Sequence, residues 1–169
     1  MKVIVVDEKD NILGYKDRND KNKTDIIRVS GLWIFNSSKE VLIAQRSLGK
    51  IHDPGKWGPS AAGTVEEGET YASNITKEAR EELGVTIKEK DLISGLHELH
   101  ITSHKHFVQI FFTKLDVPVT SFILQKEEVE AVRWISTREL SEWLSKKPND
   151  FIASFKPEAK EIFDFLISH

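Results

Sequence analysis

Three glutamates, at 78, 81 and 82, are the side chains most able to do chemistry in this sequence. On a helix of 3.6 residues per turn Glu82 falls about 40° to one side of Glu78 and Glu81 about 60° to the other, so the three carboxylates share one stripe. Ala72, Ile75, Ala79 and Leu83 occupy the neighbouring face. The acidic stripe therefore borders the buried side, where the wall of a cleft would lie. Oxygen ligands converging from one helix suit a hard divalent cation such as Mg2+ or Mn2+. The arrangement also works against the helix, because like charges at i,i+4 repel and acidic groups in the last turn oppose the macrodipole. Conflicts of this kind concentrate at functional sites. The competing reading is a solvated face in which Lys77 and Arg80 pair with the acids.

The elements that must position this stripe are legible on either side of it. Thr70 is an N-cap and Gly84 a C-cap for a helix from about Thr70 to Leu83. Upstream, Gly63 to Glu69 forms a loop whose glycines let the backbone turn sharply and bring carbonyls close to an ion. Strands are predicted at Lys2–Val6, Ile12–Tyr15, Ile26–Phe35 and Val41–Gln45, the last two read as a hairpin. Further strands are predicted at Leu92–Leu99, His106–Lys114 and Val129–Ile135. Ser136 with Glu139 reads as a capping box opening a second helix. A last helix is predicted over Pro157–Ile167, within a carboxy-terminal segment 148–169. Strands and helices mix without βαβ alternation, so the fold class is α+β.

The 169 residues, 39% of them apolar, are enough for one domain spanning 1–169, with an amino-terminal hairpin and charged loop over 1–24. A formal net charge of −3 is not that of a protein that binds nucleic acid through a general positive field. The absence of cysteine excludes disulfide scaffolds, Cys-ligated zinc and a cysteine nucleophile. Apolar runs too short to span a bilayer, and no signal-peptide pattern, lead to the expectation of a cytoplasmic protein without a membrane partner.

Gly63, five residues, Glu69, seven residues, then Lys77-Glu78-Ala79-Arg80-Glu81-Glu82-Leu83-Gly84-Val85 resembles the Nudix box of the Nudix hydrolases. Lys77 is the one defined position that departs, standing where the family has Arg. The resemblance implies a mixed β-sheet sandwiched between α-helices. It implies that Glu78, Glu81 and Glu82, with the Gly63 carbonyl, hold Mg2+ or Mn2+, and that Glu69 and Lys77 form a supporting ion pair. Lysine keeps the charge of arginine but not its bidentate fork. The reaction implied is hydrolysis of a phosphoanhydride in a nucleoside-diphosphate-type or other organic diphosphate, by a metal-activated water. Glu78 and Glu81 are the candidate catalytic bases, with Glu127 or Glu128 as a residue recruited from outside the box.

A second resemblance spans roughly residues 1–145. The segment VIVVDEKDNILG, Gln45-Arg46, Lys50, Pro54-Gly55-Lys56-Trp57 and Ser60 resemble the isopentenyl-diphosphate-isomerase-like branch of the superfamily. It implies that Arg46 and Lys50 bind the substrate diphosphate. Ala62 stands where the isomerases have their cysteine and Thr64 where they have a histidine, so an isomerase lacks its proton-transfer groups here. An isomerase and a non-catalytic Nudix-fold binding protein are the alternative functions. His97 and His100, three apart on a strand, point to opposite faces, whereas His104 and His106 share one and are a candidate second metal site. Trp57, His97 and the segment Asp116 to Lys126 are candidate pocket walls. The hairpin and exposed aromatics at Phe151 and Phe155 are candidate homodimer surfaces.

Overall fold

The structure, a computed structural model, describes residues 1–169. In chain order the strands are β1 (Lys2–Val6), β2 (Ile12–Asp17), β3 (Ile26–Phe35), β4 (Glu40–Arg46), β5 (Trp57–Gly58), β6 (Ala61–Thr64), β7 (Ile93–Ile101), β8 (Lys105–Lys114) and β9 (Val129–Ser136). The helices are α1 (Tyr71–Leu83), α2 (Thr137–Lys146) and α3 (Phe155–Ser168). All nine strands belong to one mixed sheet. No helix is long and apolar enough to cross a membrane.

β3 is the hub. It pairs in parallel with β8 over its whole length, from Ile26 opposite Lys105 to Phe35 opposite Lys114. Its other neighbours divide the strand between them, β1 at Ile26 and Ile27, β6 from Val29 to Leu32, and β4 only at Ile34 and Phe35. The expected β3–β4 hairpin therefore holds for two residue pairs and then forks. Past the fork β4 pairs with β5 and β9 instead. Ser60, fully buried, bridges the point of divergence: its hydroxyl accepts from the Ile34 N–H at 2.8 Å and donates to the Leu42 carbonyl at 2.6 Å. The side chain thus replaces a ladder bond that would leave buried backbone groups unpaired.

Strand alternation divides the core. Leu32, Ile34 and Leu42 face Ile75, Ala79 and Leu83 of α1. Trp33, Val41 and Ile43 face the other way, against Leu140 of α2 and Phe155, Ala159 and Ile162 of α3. Helices thus cover both faces of the sheet.

Three expectations are corrected. Phe151 and Phe155 are 2% and 0% exposed, with Phe151 edge-on to Trp143 and Phe155 edge-on to Trp33, so neither offers a dimer surface. α3 begins at Phe155 rather than Pro157. Proline tolerates the first turn, whose N–H groups have no intrahelical partner. The Ser136 capping box is half made: Glu139 N–H donates to Ser136 Oγ at 3.1 Å, but the Glu139 carboxylate turns to Arg133 at 2.7 Å.

Candidate active site

The divergence of β3 and β4 opens a cleft of about 410 Å³, floored by β6 and walled by α1. Helix α1 is fixed at both ends. Thr70 Oγ1 accepts from the Ser73 N–H while Ser73 Oγ accepts from the Thr70 N–H, a reciprocal capping box. At the far end Gly84 takes a left-handed φ of 69°, where a Cβ would also strike Ile123. The last carbonyls of α1 are then bonded by the loop before β9, Ile123 N–H to Leu83 O at 2.9 Å and Gln125 N–H to Glu82 O at 3.0 Å. That loop also brings Glu128 to the cleft.

Glu78, Glu81 and Glu82 all line the cleft, as do Gly63, Arg46 and Lys50. Gly63 has a steric reason to be glycine. A Cβ there would sit 2.5 Å from Glu78 Cγ and 2.6 Å from its carboxylate, so any side chain would displace Glu78. Burial pushes the Glu78 carboxyl up to about 7, opposed by Lys77 and reinforced by Glu81, Glu69 and Glu66. Burial likewise pushes Glu82 up to about 8, with Glu78 and Glu128 adding to it and Lys50 and Arg46 opposing.

The box lysine does not neutralise this wall. Lys77 Nζ lies 2.5 Å from Glu69, 3.4 Å from Glu66 and only 4.0 Å from Glu78. Burial works to raise Glu69, but Lys77, the Glu66 N–H and Asn74 together hold it below its ordinary value. Arg80 is exposed and forms no ion pair with the stripe. The solvated-face reading, in which Lys77 and Arg80 offset the acids, therefore does not describe this helix.

The sequence pattern described as the NUDIX domain matches residues 25–155. The chain belongs to the Nudix family. Among curated relatives, Nudix hydrolase 3 of Arabidopsis thaliana is 29% identical over 154 residues, 84% of this chain but 20% of that protein's length. An uncharacterized Nudix hydrolase of Pseudomonas aeruginosa, PA4841, is 31% identical over 134 residues, 77% of this chain and 75% of the relative. The isopentenyl-diphosphate Delta-isomerase of Klebsiella pneumoniae is 35% identical over 89 residues, 52% of this chain and 48% of the relative. Among solved structures, DR0079 from Deinococcus radiodurans superposes with a TM-score of 0.70 at 24% identity, covering 86% of this chain and 90% of that one. Both branches of the resemblance, hydrolase and isomerase-like, thus have relatives.

Within this Nudix fold one residue matters that sequence reasoning passed over. Asn74, fully buried on α1, donates through Nδ2 to Thr64 O at 3.0 Å and Glu69 Oε2 at 2.8 Å, and reaches Glu78 Oε1 at 3.5 Å. Its Oδ1 accepts from the Ser30 hydroxyl. A polar residue on the buried face of an otherwise apolar helix stripe is the signal that could have found it. Lys50 is engaged at 2.5 Å by Glu128, so of the two cations expected to bind substrate Arg46 is the freer, held only through Nε to the His52 carbonyl at 3.0 Å. Glu127 is exposed and outside the cleft.

Other expected sites change. Trp57 packs edge-on against Trp143 at 5.6 Å, away from the cleft, because β5 turns its ring into the core. His97 is held at 2.9 Å by Asp10, also outside the cleft; of the segment Asp116 to Lys126 only Gln125 lines it. His104 sits exposed in the β7–β8 turn, while His106 instead faces His100 across the hairpin with ring centroids 5.3 Å apart. No three His, Asp or Glu side chains gather closely enough to hold an ion as they stand.

The donors of the acidic wall are hard oxygens on one face of a cleft, the chemistry Mg2+ prefers, but they do not close a cage. Mg2+ is typically held by one or two carboxylates and keeps several waters, so an open wall of carboxylates fits it better than a closed all-protein site would.

Proposed function

We propose that this chain is a Mg2+- or Mn2+-dependent hydrolase that cleaves a phosphoanhydride bond in an organic diphosphate of the nucleoside-diphosphate type. The observation that carries the reading is the un-neutralised wall: three carboxylates of one helix face a cleft while the adjacent lysine is drawn to Glu69 at 2.5 Å. Glu78, Glu81, Glu82 and the Gly63 carbonyl would hold the ion. A bound ion supplies charge neutralisation of the phosphates and a lowered pKa for a coordinated water.

The protein's own groups do the rest. Arg46 binds phosphate oxygens through its fork, and Lys50 adds charge from its pair with Glu128. Water oxygen bonds to phosphorus, the bridging P–O bond breaks, and one carboxylate takes the water's proton. Glu78 and Glu81 are the first candidates for that base, and Glu128, beside Glu82 in the cleft lining, is the third. Glu69, bonded by both Lys77 and Asn74, holds the loop against α1 so that Gly63 and Glu78 stay in contact.

Ala62 and Thr64 line the cleft and offer no thiol or imidazole, which counts against isomerase chemistry. The test is a panel of nucleotide sugars, ADP-ribose, dinucleotides, CoA derivatives and prenyl diphosphates incubated with Mg2+. Hydrolysis of at least one, abolished by EDTA and by the double variant Glu81→Gln/Glu82→Gln, is the expected result. No turnover of any, or full turnover by the double variant, overturns the reading.

A further inference from the structure

The amino-terminal hairpin lies outside residues 25–155 that match the family, yet it reaches the cleft. It is docked on the loop that leads into α1: Glu67 N–H donates to Lys2 O at 2.9 Å, and Val3 bridges Glu66. Arg18, just past β2, has its N–H on Met1 O at 3.2 Å and lines the same cavity as Glu66, Glu78 and Arg46. Its guanidinium has no carboxylate partner. Elsewhere Arg28 is locked on Asp10 at 2.8 Å, Arg133 on Glu139 at 2.7 Å and Arg138 on Glu142 at 3.3 Å.

The cations of the cleft stand at two ends. Arg46 and Lys50 are the charged neighbours of Glu82, together with Glu128. Glu78, one helical turn or about 6 Å away, has Lys77, Glu81, Glu69 and Glu66 as its charged neighbours instead, and Lys77 is itself taken up by Glu69 at 2.5 Å. That is the end at which the hairpin is docked. The carboxylate wall lies between the two ends, so a diphosphate seated on that wall and on Arg46 leaves Arg18 without an anion. An exposed arginine that lines the cavity and forms no ion pair with a protein acid can offer its fork to an oxygen anion from outside.

We propose that Arg18 is a specificity-determining residue: its guanidinium binds a further phosphate of the substrate, beyond the two that form the scissile anhydride. The preferred substrates are then those with extended phosphate chains or a second, remote phosphate. This rests on the hydrolase reading above, which needs only the diphosphate.

The test is isothermal titration, in Mg2+, of non-hydrolysable methylene-bridged analogues of inorganic diphosphate and triphosphate. The wild type is expected to favour the triphosphate analogue about tenfold, the scale of one charge-assisted hydrogen bond. Arg18→Gln should reduce that preference to about one, and Arg18→Lys, which keeps the charge without the fork, should fall between. Thermal melts establish that both variants are folded. Equal binding of the two analogues by the wild type, or an undiminished preference in Arg18→Gln, overturns the role of Arg18 and leaves the hydrolase reading standing. If the wild type binds neither analogue, both fall.

Discussion

Two half-buried acidic centres lie at opposite ends of α1 and are built in opposite ways. Near the helix start, Asp10 receives Arg28 Nε at 2.8 Å, the Tyr71 hydroxyl at 2.9 Å and His97 Nε2 at 2.9 Å. Its backbone takes a φ of 65°, and its carbonyl accepts a second bond from Arg28 at 2.8 Å. Farther along the helix, burial holds Glu78 and Glu82 up to about 7 and about 8, although Lys77 opposes the first shift and Lys50 and Arg46 the second, and neither carboxylate has a cation closer than Lys77 at 4.0 Å from Glu78. A carboxylate met by fixed donors ties elements together. One left unmet in a cleft is a place for a ligand cation, because the cost of its burial is recovered only when charge arrives.

The contrast can be broken most directly at the unmet end. Glu81→Gln/Glu82→Gln is expected to lower kcat/KM by about 10³, the scale of several kcal/mol of charge stabilisation, with little change in melting temperature. Gly63→Ala should cost about 10², since its Cβ would meet Glu78 Cγ at 2.5 Å. Equal activity in Gly63→Ala would show that the Gly63–Glu78 approach is not needed. Asp10→Ala should do the reverse: a loss of about 2 kcal/mol in urea unfolding, from three donors left unpaired, with activity of the folded protein within a few-fold of wild type.

A smaller effect sharpens the comparison through pH. The Glu78 and Glu82 carboxyls lie above their ordinary 4.5, so they stay neutral in the fold over a range where the unfolded chain ionises. The metal-free protein should therefore lose stability as pH rises from about 4.5 toward 8. Mg2+, which binds the ionised forms, should restore it. Mn2+ affinity followed by electron paramagnetic resonance is expected to rise about tenfold from pH 6 to pH 8, and a flat profile would contradict the protonation of these two groups. The smallest expected change is Lys77→Arg. It keeps the charge at 2.5 Å from Glu69 and should shift kcat/KM by no more than about threefold, checked by the same assay.

Local signals account for what the sequence reveals most directly. The capping of α1 by Thr70 and Gly84, and the side-by-side placement of Glu78, Glu81 and Glu82, follow from helical periodicity and hold at the same residues in the structure. The bounds of β3 follow from its run of β-branched and aromatic residues. What escaped detection is non-local. Nothing near Ile26 announces Lys105 as its parallel partner. Ser60 reads as one small residue among several until it is seen bridging Ile34 and Leu42. Phe151 and Phe155 read as surface residues because their cover, Trp33 and Trp143, comes from other parts of the chain.

By itself the sequence determined the family, the α+β class and the helix that carries the acids, because spacing along a single helix is set by its own 3.6-residue turn. Tertiary structure alone decided where charge is left over. The Lys77–Glu69 pair is the one the resemblance implies, but nothing in the sequence announces that Lys50 finds Glu128 from a distant loop. Arg18 arrives at the cleft on a hairpin docked from outside the family domain. Ion pairing depends on distances of a few ångströms between elements that only packing brings together, and no pattern along one strand or helix contains them.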